Sequence, residues 1–510
     1  MKKLNILFLA LLFSFSVSGQ IQWQKSLGGT YADEAYSIIQ TYDSGYVVAG
    51  FTDSNDSDVT GNHGYWDYWV VKLNASGTIE WQKSLGGTDY DIAYSIIQTS
   101  DSGYAVAGFS ESNDGDVTGN HGNRDYWVVK LNATGTIEWQ KSLGGTGDDE
   151  AHSIIQTSDN GYIVAGYSVS NDSDVTGNHG LKDYWVVKLN VSGTIEWQKS
   201  LGGTSDDEAW SVIQAYDSGY VVAGQTESID GDITGNHGYI DYWIVKLNAS
   251  GAIQWQKTFG GTNQEYAYCI IQTHDSGYAV TGTSVSNDGD VTVNHGGGDY
   301  WVVKLNASGA IEWQKSFGGT TGDIANSICQ TYDSGYVVAG YTYSNDVDVT
   351  GNHGSFDYWM VRLNASGTME WQKCLGGTGN DNASSIIQTS DNGYVVAGYS
   401  YSNDGDVTGN HGYFDYWIVK LAQTTGIENL STSNTLNIYP NPSTHNFSIP
   451  SNREFDNAQL NIFNALGCNV YSCRLNRETK VIDAENFSSG IYYLQIIKGE
   501  KMWGEKIIKQ

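Results

Sequence analysis

Pairs of aspartates separated by one residue recur along this chain in a setting suited to holding a metal ion. Asp56 and Asp58 lie in the polar stretch SNDSDVTGNHG, and equivalent pairs follow every 58 residues. Closely spaced carboxylates, with asparagine and main-chain oxygens nearby, are ligands that Ca²⁺ prefers. The sequence therefore predicts a candidate calcium site in each copy. The candidate ligands are Asp56, Asp58, Asp114, Asp116, Asp172, Asp174, Asp230, Asp232, Asp288, Asp290, Asp346, Asp348, Asp404 and Asp406.

The same aspartates have a second interpretation, as residues that hold their loops together. The complete twelve-residue calcium loop is absent, and no glutamate closes the pattern. Acids repeated in one register usually reflect repeated structure, in which Asp and Asn side chains accept hydrogen bonds from loop amides. The register favours this capping role, and calcium, the candidate cofactor, remains the alternative.

Three further polar positions recur once per copy around these loops. A histidine stands in an Asn-His-Gly context that is typical of a turn, so a hydrogen-bonded loop histidine is favoured over a transition-metal ligand. The histidines are His63, His121, His179, His237, His295, His353 and His411. An acid follows each Gly-Gly-Thr, at Asp33, Asp91, Asp149, Asp207, Glu265, Asp323 and Asp381. Another opens each Asp-Tyr-Trp run, at Asp67, Asp125, Asp183, Asp241, Asp299, Asp357 and Asp415.

No catalytic constellation stands out in the sequence. Each residue of an active site has its own role, so an active site breaks the symmetry of a repeat. The copies are nearly identical, and departures such as Trp210 and Asn326, which replace Tyr, bring no nucleophile together with a base. The sequence therefore predicts no catalytic residue and no residue that binds an organic cofactor.

The elements that position these residues follow from an uninterrupted 58-residue repeat. One Trp series runs through Trp23, Trp81, Trp139, Trp197, Trp255, Trp313 and Trp371. The second runs through Trp69, Trp127, Trp185, Trp243, Trp301, Trp359 and Trp417. One unit, residues 93–146, contains four β-prone runs separated by two tight glycine turns and one long polar loop. Four antiparallel strands per repeat of this length are typical of a β-propeller blade.

The two ends of the repeat array predict how it closes. Residues 21–28 match a fourth strand with no copy before it, and the last copy stops after its third strand at 415–421. A ring forms if the N-terminal strand completes the last sheet, and closure removes exposed strand edges. The predicted fold is all-β: a seven-bladed β-propeller over residues 20–421 followed by a small β-sandwich.

The repeat units resemble those of seven-bladed β-propellers in secreted bacterial proteins. The run DYWVVKLNASGTIEW also resembles the blade motif of quinoprotein propellers. The resemblance covers about residues 21–421 and implies the fold. It implies little about chemistry, because propellers carry many unrelated functions, and no quinone cofactor is carried over.

The N-terminal segment has the pattern of a signal peptide. Lys2 and Lys3 precede an apolar run that ends at Ser18-Gly19. That run is too short to span a membrane as a stable anchor, and no longer apolar run follows. We therefore expect a signal peptide over residues 1–19, export, and no transmembrane span.

The C-terminal segment has a different composition. A polar linker is predicted over 422–435, followed by strand-like runs over 436–510 that contain all three prolines. In order along these runs stand Tyr439-Pro440-Asn441-Pro442, Asn464-Ala465-Leu466-Gly467, Gly490-Ile491-Tyr492, and a terminal stretch from Lys506 to Lys509. This closely resembles the type A C-terminal sorting domain of type IX secretion cargo in Bacteroidota. The resemblance implies the type IX secretion machinery as partner, and a secreted or cell-surface location, usually with removal of the domain. The alternative is an ordinary terminal β-sandwich.

The net charge of the chain limits the classes of partner that it can bind. The formal net charge is -31, from 26 basic and 57 acidic residues, and the acids are concentrated in the repeat region. Nucleic acid is excluded as a partner because it needs a basic surface. We expect a secreted or surface binding or scaffold protein that recognises a glycan or a protein on its acidic loop face. A glycan-active hydrolase or lyase is the alternative, and a structural spacer is the third possibility. Aromatics such as Tyr65-Trp66 and Tyr413-Phe414 are candidates for contacting sugars.

Overall fold

The computed structural model describes residues 20–422, 438–449, 453–464, 469–485, 487–498 and 501–510. The chain divides into two compact units, residues 1–423 and 424–510. The predicted signal peptide, residues 423–435 of the predicted linker, and Ala465-Leu466-Gly467 lie outside the described residues. Within those residues, no helix has the length and apolar character needed to cross a membrane.

The repeat region consists of strands arranged in seven four-stranded antiparallel sheets, which confirms an all-β fold of repeated sheets. The N-terminal strand is β1 (Ile21–Leu27). Sheet 1 contains β2 (Asp33–Gln40), β3 (Tyr46–Thr52), β4 (Asp67–Leu73) and β5 (Ile79–Leu85). Sheet 2 contains β6 (Asp91–Gln98), β7 (Tyr104–Ser110), β8 (Asp125–Leu131) and β9 (Ile137–Leu143). Sheet 3 contains β10 (Asp149–Gln156), β11 (Tyr162–Ser168), β12 (Asp183–Leu189) and β13 (Ile195–Leu201).

The remaining sheets repeat this plan. Sheet 4 contains β14 (Asp207–Gln214), β15 (Tyr220–Thr226), β16 (Asp241–Leu247) and β17 (Ile253–Phe259). Sheet 5 contains β18 (Glu265–Gln272), β19 (Tyr278–Ser284), β20 (Asp299–Leu305) and β21 (Ile311–Phe317). Sheet 6 contains β22 (Asp323–Gln330), β23 (Tyr336–Thr342), β24 (Asp357–Leu363) and β25 (Met369–Leu375). Sheet 7 contains β26 (Asp381–Gln388), β27 (Tyr394–Ser400) and β28 (Asp415–Leu421), and its fourth strand is β1.

Strand β1 pairs with β28 in the register that fourth strands use elsewhere. Leu27 lies opposite Tyr416 in sheet 7, just as Leu85 lies opposite Tyr68 in sheet 1. The side chain of Trp417 donates a hydrogen bond from Nε1 to Oε1 of Gln24 over 2.6 Å. The first and last strands of the repeat region are therefore joined in one sheet.

The third strand of each sheet is its buried centre. Every residue of Asp67–Leu73 is buried, and Trp69 has no exposed surface. A strand covered on both faces reads as a continuous apolar run, which explains the sequence Trp-Val-Val between the polar ends. In the fourth strand Ile79–Leu85, Glu80 is exposed, Ser84 and Leu85 are buried, and the other residues are half-buried, as expected for a strand at the edge of its sheet.

Neighbouring sheets are tied together by one repeated contact. The hydroxyl of Tyr68 donates to the main-chain oxygen of Trp127 in the next sheet over 2.9 Å, and the two rings lie 4.6 Å apart. The same contact joins sheet 7 to sheet 1, where Tyr416 donates to the oxygen of Trp69 over 2.9 Å. Each sheet thus packs on the next, including the last on the first.

Each first strand carries a bulge at its third to fifth residues. In β2 the register shifts between Ala35 and Ser37, which leaves Tyr36 without a partner on β3. The shift recurs in every first strand of the repeat region. A β-bulge redirects the side chain of its extra residue. The side chain at this position differs between copies, as described below.

The C-terminal unit is a small β structure with its own core. Its elements are β29 (Asn446–Ile449), a 3-10 helix (Arg453–Phe455), β30 (Gln459–Asn464), β31 (Asn469–Arg474), β32 (Lys480–Asp483), β33 (Gly490–Lys498) and β34 (Lys501–Lys509). One sheet has the order β31-β30-β33-β34, and β29 pairs with β32. Phe447, Leu460, Ile482 and Trp503 are among its buried core residues.

Candidate functional site

The first aspartate of each loop pair binds the Gly-Gly-Thr segment that leads into the first strand of its own sheet. Oδ1 of Asp56 accepts a hydrogen bond from the amide of Thr30, and Oδ2 accepts one from the Thr30 hydroxyl, both over 2.9 Å. Equivalent contacts are made by Asp114, Asp172, Asp230, Asp288, Asp346 and Asp404. Both oxygens of these carboxylates therefore already accept hydrogen bonds from protein groups.

The second aspartate of each pair is held more loosely. The amide of Asp58 donates to the oxygen of Gly28 over 3.1 Å, and its carboxylate lies 3.5 Å from the amide of Gly28. In the part of the chain that the structure describes, no group of three or more His, Cys, Asp or Glu side chains is arranged to hold a metal ion. Calcium binding by the loop pairs stays a prediction.

The repeated histidine is bound to the aspartate that opens the third strand. Nδ1 of His63 lies 2.6 Å from Oδ2 of Asp67, and the amide of His63 donates to the same oxygen over 3.0 Å. All seven copies make this contact. The imidazole and the main chain together fix the end of the loop on the start of the strand.

Buried acids meet in pairs where one sheet joins the next. Asp67 of sheet 1 and Asp91 of sheet 2 have no exposed surface, and both approach Gly86, where a side chain would collide with Oδ2 of Asp91 and Oδ1 of Asp67. Oδ1 of Asp67 has no hydrogen-bond partner among the described residues. Burial raises the pKa of Asp67 to about 6 and that of Asp91 to about 7, and the neighbouring Asp67 adds to the second shift. The sequence shows both acids but not their pairing, because they lie in different copies.

The positions at which the copies differ most in chemistry gather at one end of the sheets. We call this region the variable end. It comprises the residues where first strands begin, second strands end and third strands begin. In sheet 1 these are residues 31, 32, 34, 36, 51, 53, 65 and 66, and the other sheets contribute the equivalents at steps of 58. Elsewhere the copies are nearly invariant apart from a few positions such as residue 42 and its equivalents, which are Tyr, Ser or His, so the differences are not spread evenly over the fold.

The bulge residues form a chain of contacts along the variable end. The ring of Tyr94 lies 5.2 Å from those of Tyr36 and His152, and His152 stacks on Trp210 at 4.0 Å. Trp210 in turn lies 5.5 Å from Tyr268. The bulges therefore place side chains from five consecutive sheets in one row, an arrangement that the strand pattern in the sequence does not reveal.

Charged residues occupy the variable end of sheets 2, 3 and 4. Arg124, the residue before the third strand of sheet 2, donates from Nε to Glu111 over 2.8 Å and also pairs with Glu150. Lys182 pairs with Glu208 over 2.6 Å. Burial acts to raise the pKa of Glu150, but hydrogen bonding and charge from His152, with Tyr167 and Arg124, lower it to about 2.

Glu34 at the variable end of sheet 1 behaves in the opposite way. Burial raises the pKa of Glu34 to about 7, although the hydroxyl of Tyr36 donates to its carboxylate over 2.9 Å. Near neutral pH, part of the Glu34 population is protonated while Glu150 is ionised. Sequence reasoning missed both acids, because neither belongs to a repeated motif.

The sorting motif is brought together in the C-terminal unit. Nδ2 of Asn441 donates to the oxygen of Lys506 over 2.7 Å, and the amide of Ile508 donates to Oδ1 of Asn441 over 2.9 Å. Tyr492 is buried and donates to the oxygen of Ser488 over 2.9 Å. The start of the motif is thus attached to the last strand, 65 or more residues away along the chain.

The fold and these sites define the chain as a repeat protein of β-propeller-like sheets with a separate terminal domain. Residues 437–510 match the family model of the secretion system C-terminal sorting domain. This domain is recognised by the type IX secretion system, so the protein is secreted or carried on the cell surface.

Relatives of the whole chain are distant. The regulatory protein FlaEY of Caulobacter vibrioides is 22% identical over 447 residues, which cover 75% of this chain and 45% of FlaEY. This chain therefore spans less than half the length of that relative. PorZ of Porphyromonas gingivalis, a surface component of the type IX secretion system, aligns with a TM-score of 0.40 at 14% identity, over 95% of this chain and 60% of PorZ. Sqt1 of Chaetomium thermophilum aligns with a TM-score of 0.39 at 10% identity, over 79% of this chain and all of that one. Scores at this level do not assign a function.

Proposed function

We propose that the seven sheets form a closed seven-bladed β-propeller that serves as a binding module outside the cell. Two contacts support closure. The pairing of β1 with β28 brings the N-terminal strand into sheet 7, and the contact of Tyr416 with Trp69 joins sheet 7 to sheet 1. A closed ring of similar sheets is a rigid scaffold with few free strand edges. Such a scaffold holds the residues of the variable end in fixed positions.

The observation that carries the binding function is the uneven distribution of differences among the copies. Residues that build the sheets and their contacts are nearly the same in all copies, whereas the variable end differs from sheet to sheet. A purely structural spacer has no need of chemically distinct residues gathered on one surface. We therefore place ligand recognition at the variable end.

Export completes the proposal. The proposed order is a signal peptide over 1–19, the propeller over 20–421, a linker over 422–435 and the sorting domain over 436–510. The type IX secretion machinery is the proposed partner of the sorting domain. Calcium at the loop aspartates is proposed as an additional ligand, and titration of chelator-treated protein by calorimetry tests it.

The alternative function, glycan hydrolysis or lysis, has one observation in its favour. Glu34 in sheet 1 and Glu150 in sheet 3 have pKa values shifted in opposite directions, and general acid and base chemistry uses one acid of each kind. Both residues are also hydrogen-bonded to tyrosine or to basic side chains in structural roles. Binding therefore remains the main proposal.

A screen of the purified full chain tests the function. The chain is applied to an array of neutral, acidic and sulfated glycans and of acidic and cationic peptides, and the solutions are then analysed for cleavage products. Reproducible binding without products is the expected result. Products that disappear in the Glu34→Gln or Glu150→Gln variant support the enzyme instead, and the absence of binding to every probe contradicts the binding function.

A further inference from the structure

At the variable end, sheets 6 and 7 combine a lack of charged residues, which sheet 5 shares, with a concentration of aromatic residues. Their residues there are Thr321, Gly322, Ile324, Asn326, Tyr341, Tyr343, Ser355 and Phe356, followed by Gly379, Asn380, Asn382, Ser384, Tyr399, Tyr401, Tyr413 and Phe414. None of these sixteen residues, all of them described, carries a charge. We call Tyr341, Tyr343, Phe356, Tyr399, Tyr401, Tyr413 and Phe414 the aromatic patch.

The rings of the aromatic patch support each other within each sheet. In sheet 6 the ring of Phe356 lies 5.0 Å from Tyr341 and 4.9 Å from Tyr343. In this arrangement Phe356 is buried while Tyr343 remains 45% exposed. The buried ring thus fixes an accessible one, and little rotational freedom remains to be lost when a ligand covers it.

Sheet 7 repeats the arrangement with more exposed rings. The ring of Phe414 lies 5.1 Å from Tyr399, 5.4 Å from Tyr401 and 5.3 Å from Tyr413. Tyr401 is 48% exposed and Tyr413 is 56% exposed. Three tyrosines therefore surround one phenylalanine, and two of them present both a ring and a hydroxyl to the solvent.

The two halves of the patch are neighbours. The amide of Asp381 in sheet 7 donates to the oxygen of Phe356 in sheet 6 over 2.8 Å. The amide of Tyr401 donates over 2.8 Å to the oxygen of Asn380, the residue that forms an isolated bridge with Phe356. Main-chain hydrogen bonds across the boundary between the sheets therefore hold the two clusters side by side.

Amide side chains lie beside the rings. Nδ2 of Asn326 donates to Oδ1 of Asn382 over 3.0 Å, and Nδ2 of Asn382 donates to the Tyr399 hydroxyl over 3.1 Å. At the position of Asn382, sheets 3 and 4 have Glu150 and Glu208, and at the position of Phe356 and Phe414, sheets 2 and 3 have Arg124 and Lys182, which pair with these acids. Amides and hydroxyls in place of charges suit a ligand that is polar but uncharged.

We infer that the aromatic patch of sheets 6 and 7 is a binding site for a neutral oligosaccharide or polysaccharide, an inference that rests on the proposed binding function. A sugar ring has an apolar face that covers an aromatic ring, and hydroxyl groups at its edge that meet tyrosine and asparagine. Sites with this mixture of aromatic surface and a few placed polar groups are typical of small polar ligands. The acidic repeat region repels polyanions, and none of the seven patch residues is a carboxylate that a cationic peptide would need. The neighbouring Glu34 contributes to raising the pKa of Tyr399, but burial raises the pKa of Glu34 itself to about 7.

The test compares two double variants of the full chain. Tyr401→Ala with Tyr413→Ala removes the exposed rings of the patch. Tyr42→Ala with Tyr332→Ala removes two tyrosines that are 72% and 64% exposed and lie on the turns between first and second strands, at the opposite end of the sheets. The probes are neutral gluco-, manno- and xylo-oligosaccharides, polygalacturonate, and an oligolysine peptide. The melting temperature of each variant shows that it is folded.

The expected result is binding of at least one neutral oligosaccharide, weakened by about tenfold or more in the patch variant and unchanged in the control variant. Three results overturn the inference while leaving the binding function intact: neutral sugars bind both variants equally, the wild type prefers polygalacturonate, or it prefers oligolysine. Failure of the wild type to bind any probe, including those of the wider screen, contradicts the binding function itself.

Discussion

At the scale of single residues, the buried acid pairs between sheets determine how stability depends on pH. In the folded chain, burial raises the pKa of Asp33 and Asp91 to about 7 and that of Asp125 and Asp207 to about 6. An unfolded aspartate has a pKa of about 3.9. The folded protein therefore binds these protons more tightly, and stability falls as pH rises through the interval between the two values.

Acids of the opposite kind lie at the turns between first and second strands. Burial acts to raise the pKa of Asp101, but hydrogen bonds from Thr99, the amide of Gly103 and Lys130 lower it to about 2. Lys130 is buried, and it also pairs with Glu138 over 2.8 Å. Stabilisation by these turns is complete above the unfolded pKa and is lost as pH falls toward 2.

We therefore predict a melting temperature that is highest near pH 4 and falls by roughly 5 to 10 °C by pH 8. The change from pH 6 to 8 is smaller in the Asp91→Asn variant, because the amide carries no charge to bury. Asp89→Asn, which changes an exposed acid two residues earlier, keeps the wild-type profile. Thermal unfolding at several pH values measures this, and identical profiles for the two variants contradict the role of the pair.

At the scale of strands and sheets, the tyrosine hydroxyls provide a controlled comparison. The Tyr126 hydroxyl donates to the oxygen of Trp185 in the next sheet over 2.9 Å. The Tyr162 hydroxyl is also buried but has no hydrogen-bond partner among the described residues. Both side chains have no exposed surface.

We predict that Tyr126→Phe lowers the free energy of unfolding by about 1 to 3 kcal/mol, because it breaks a buried hydrogen bond between sheets. Tyr162→Phe removes an oxygen that has no partner, so it leaves stability unchanged or raises it slightly. Chemical denaturation of both variants measures the difference. Equal losses contradict the role of the Tyr126 contact in joining sheets.

The elements of the repeat were predictable from sequence, whereas the sites between them were not. The runs at 93–100 and 125–132 predict strands that the structure has as Asp91–Gln98 and Asp125–Leu131, since apolar residues and glycine turns act locally. The pairing of Asp67 with Asp91 depends on how two copies pack. The row from Tyr36 to Tyr268 depends on a bulge, which an alternating strand pattern does not encode. The 58-residue repeat therefore predicts the strands, whereas the sites depend on contacts between sheets and on positions that differ between copies.

At the scale of the whole molecule, closure of the proposed ring requires that β1 contribute to stability as much as the other fourth strands do. In a closed propeller β1 is the fourth strand of sheet 7 and pairs with β28, whereas in a linear array it is a lone terminal strand without that partner. Leu27 in β1 and Leu85 in β5 occupy equivalent positions and are equally buried, at 5% exposure each. Their substitution therefore distinguishes the two arrangements.

We predict that Leu27→Ala and Leu85→Ala lower the stability of the repeat region by similar amounts, each about 2 to 5 kcal/mol. Thermal unfolding of the full chain measures both. A Leu27→Ala variant that melts like the wild type, next to a destabilised Leu85→Ala variant, contradicts ring closure.

The pairing of β1 with β28 also provides a route by which separate molecules can associate. The two partners lie about four hundred residues apart in the chain, while every other strand of the sheets finds its partner within its own copy. Until β1 arrives, β28 has an open edge that any β1 can fill, including that of another molecule. Exchange of this one strand links chains into dimers or longer polymers without any new contact. High concentration during refolding favours such polymers, and dilution favours the monomer.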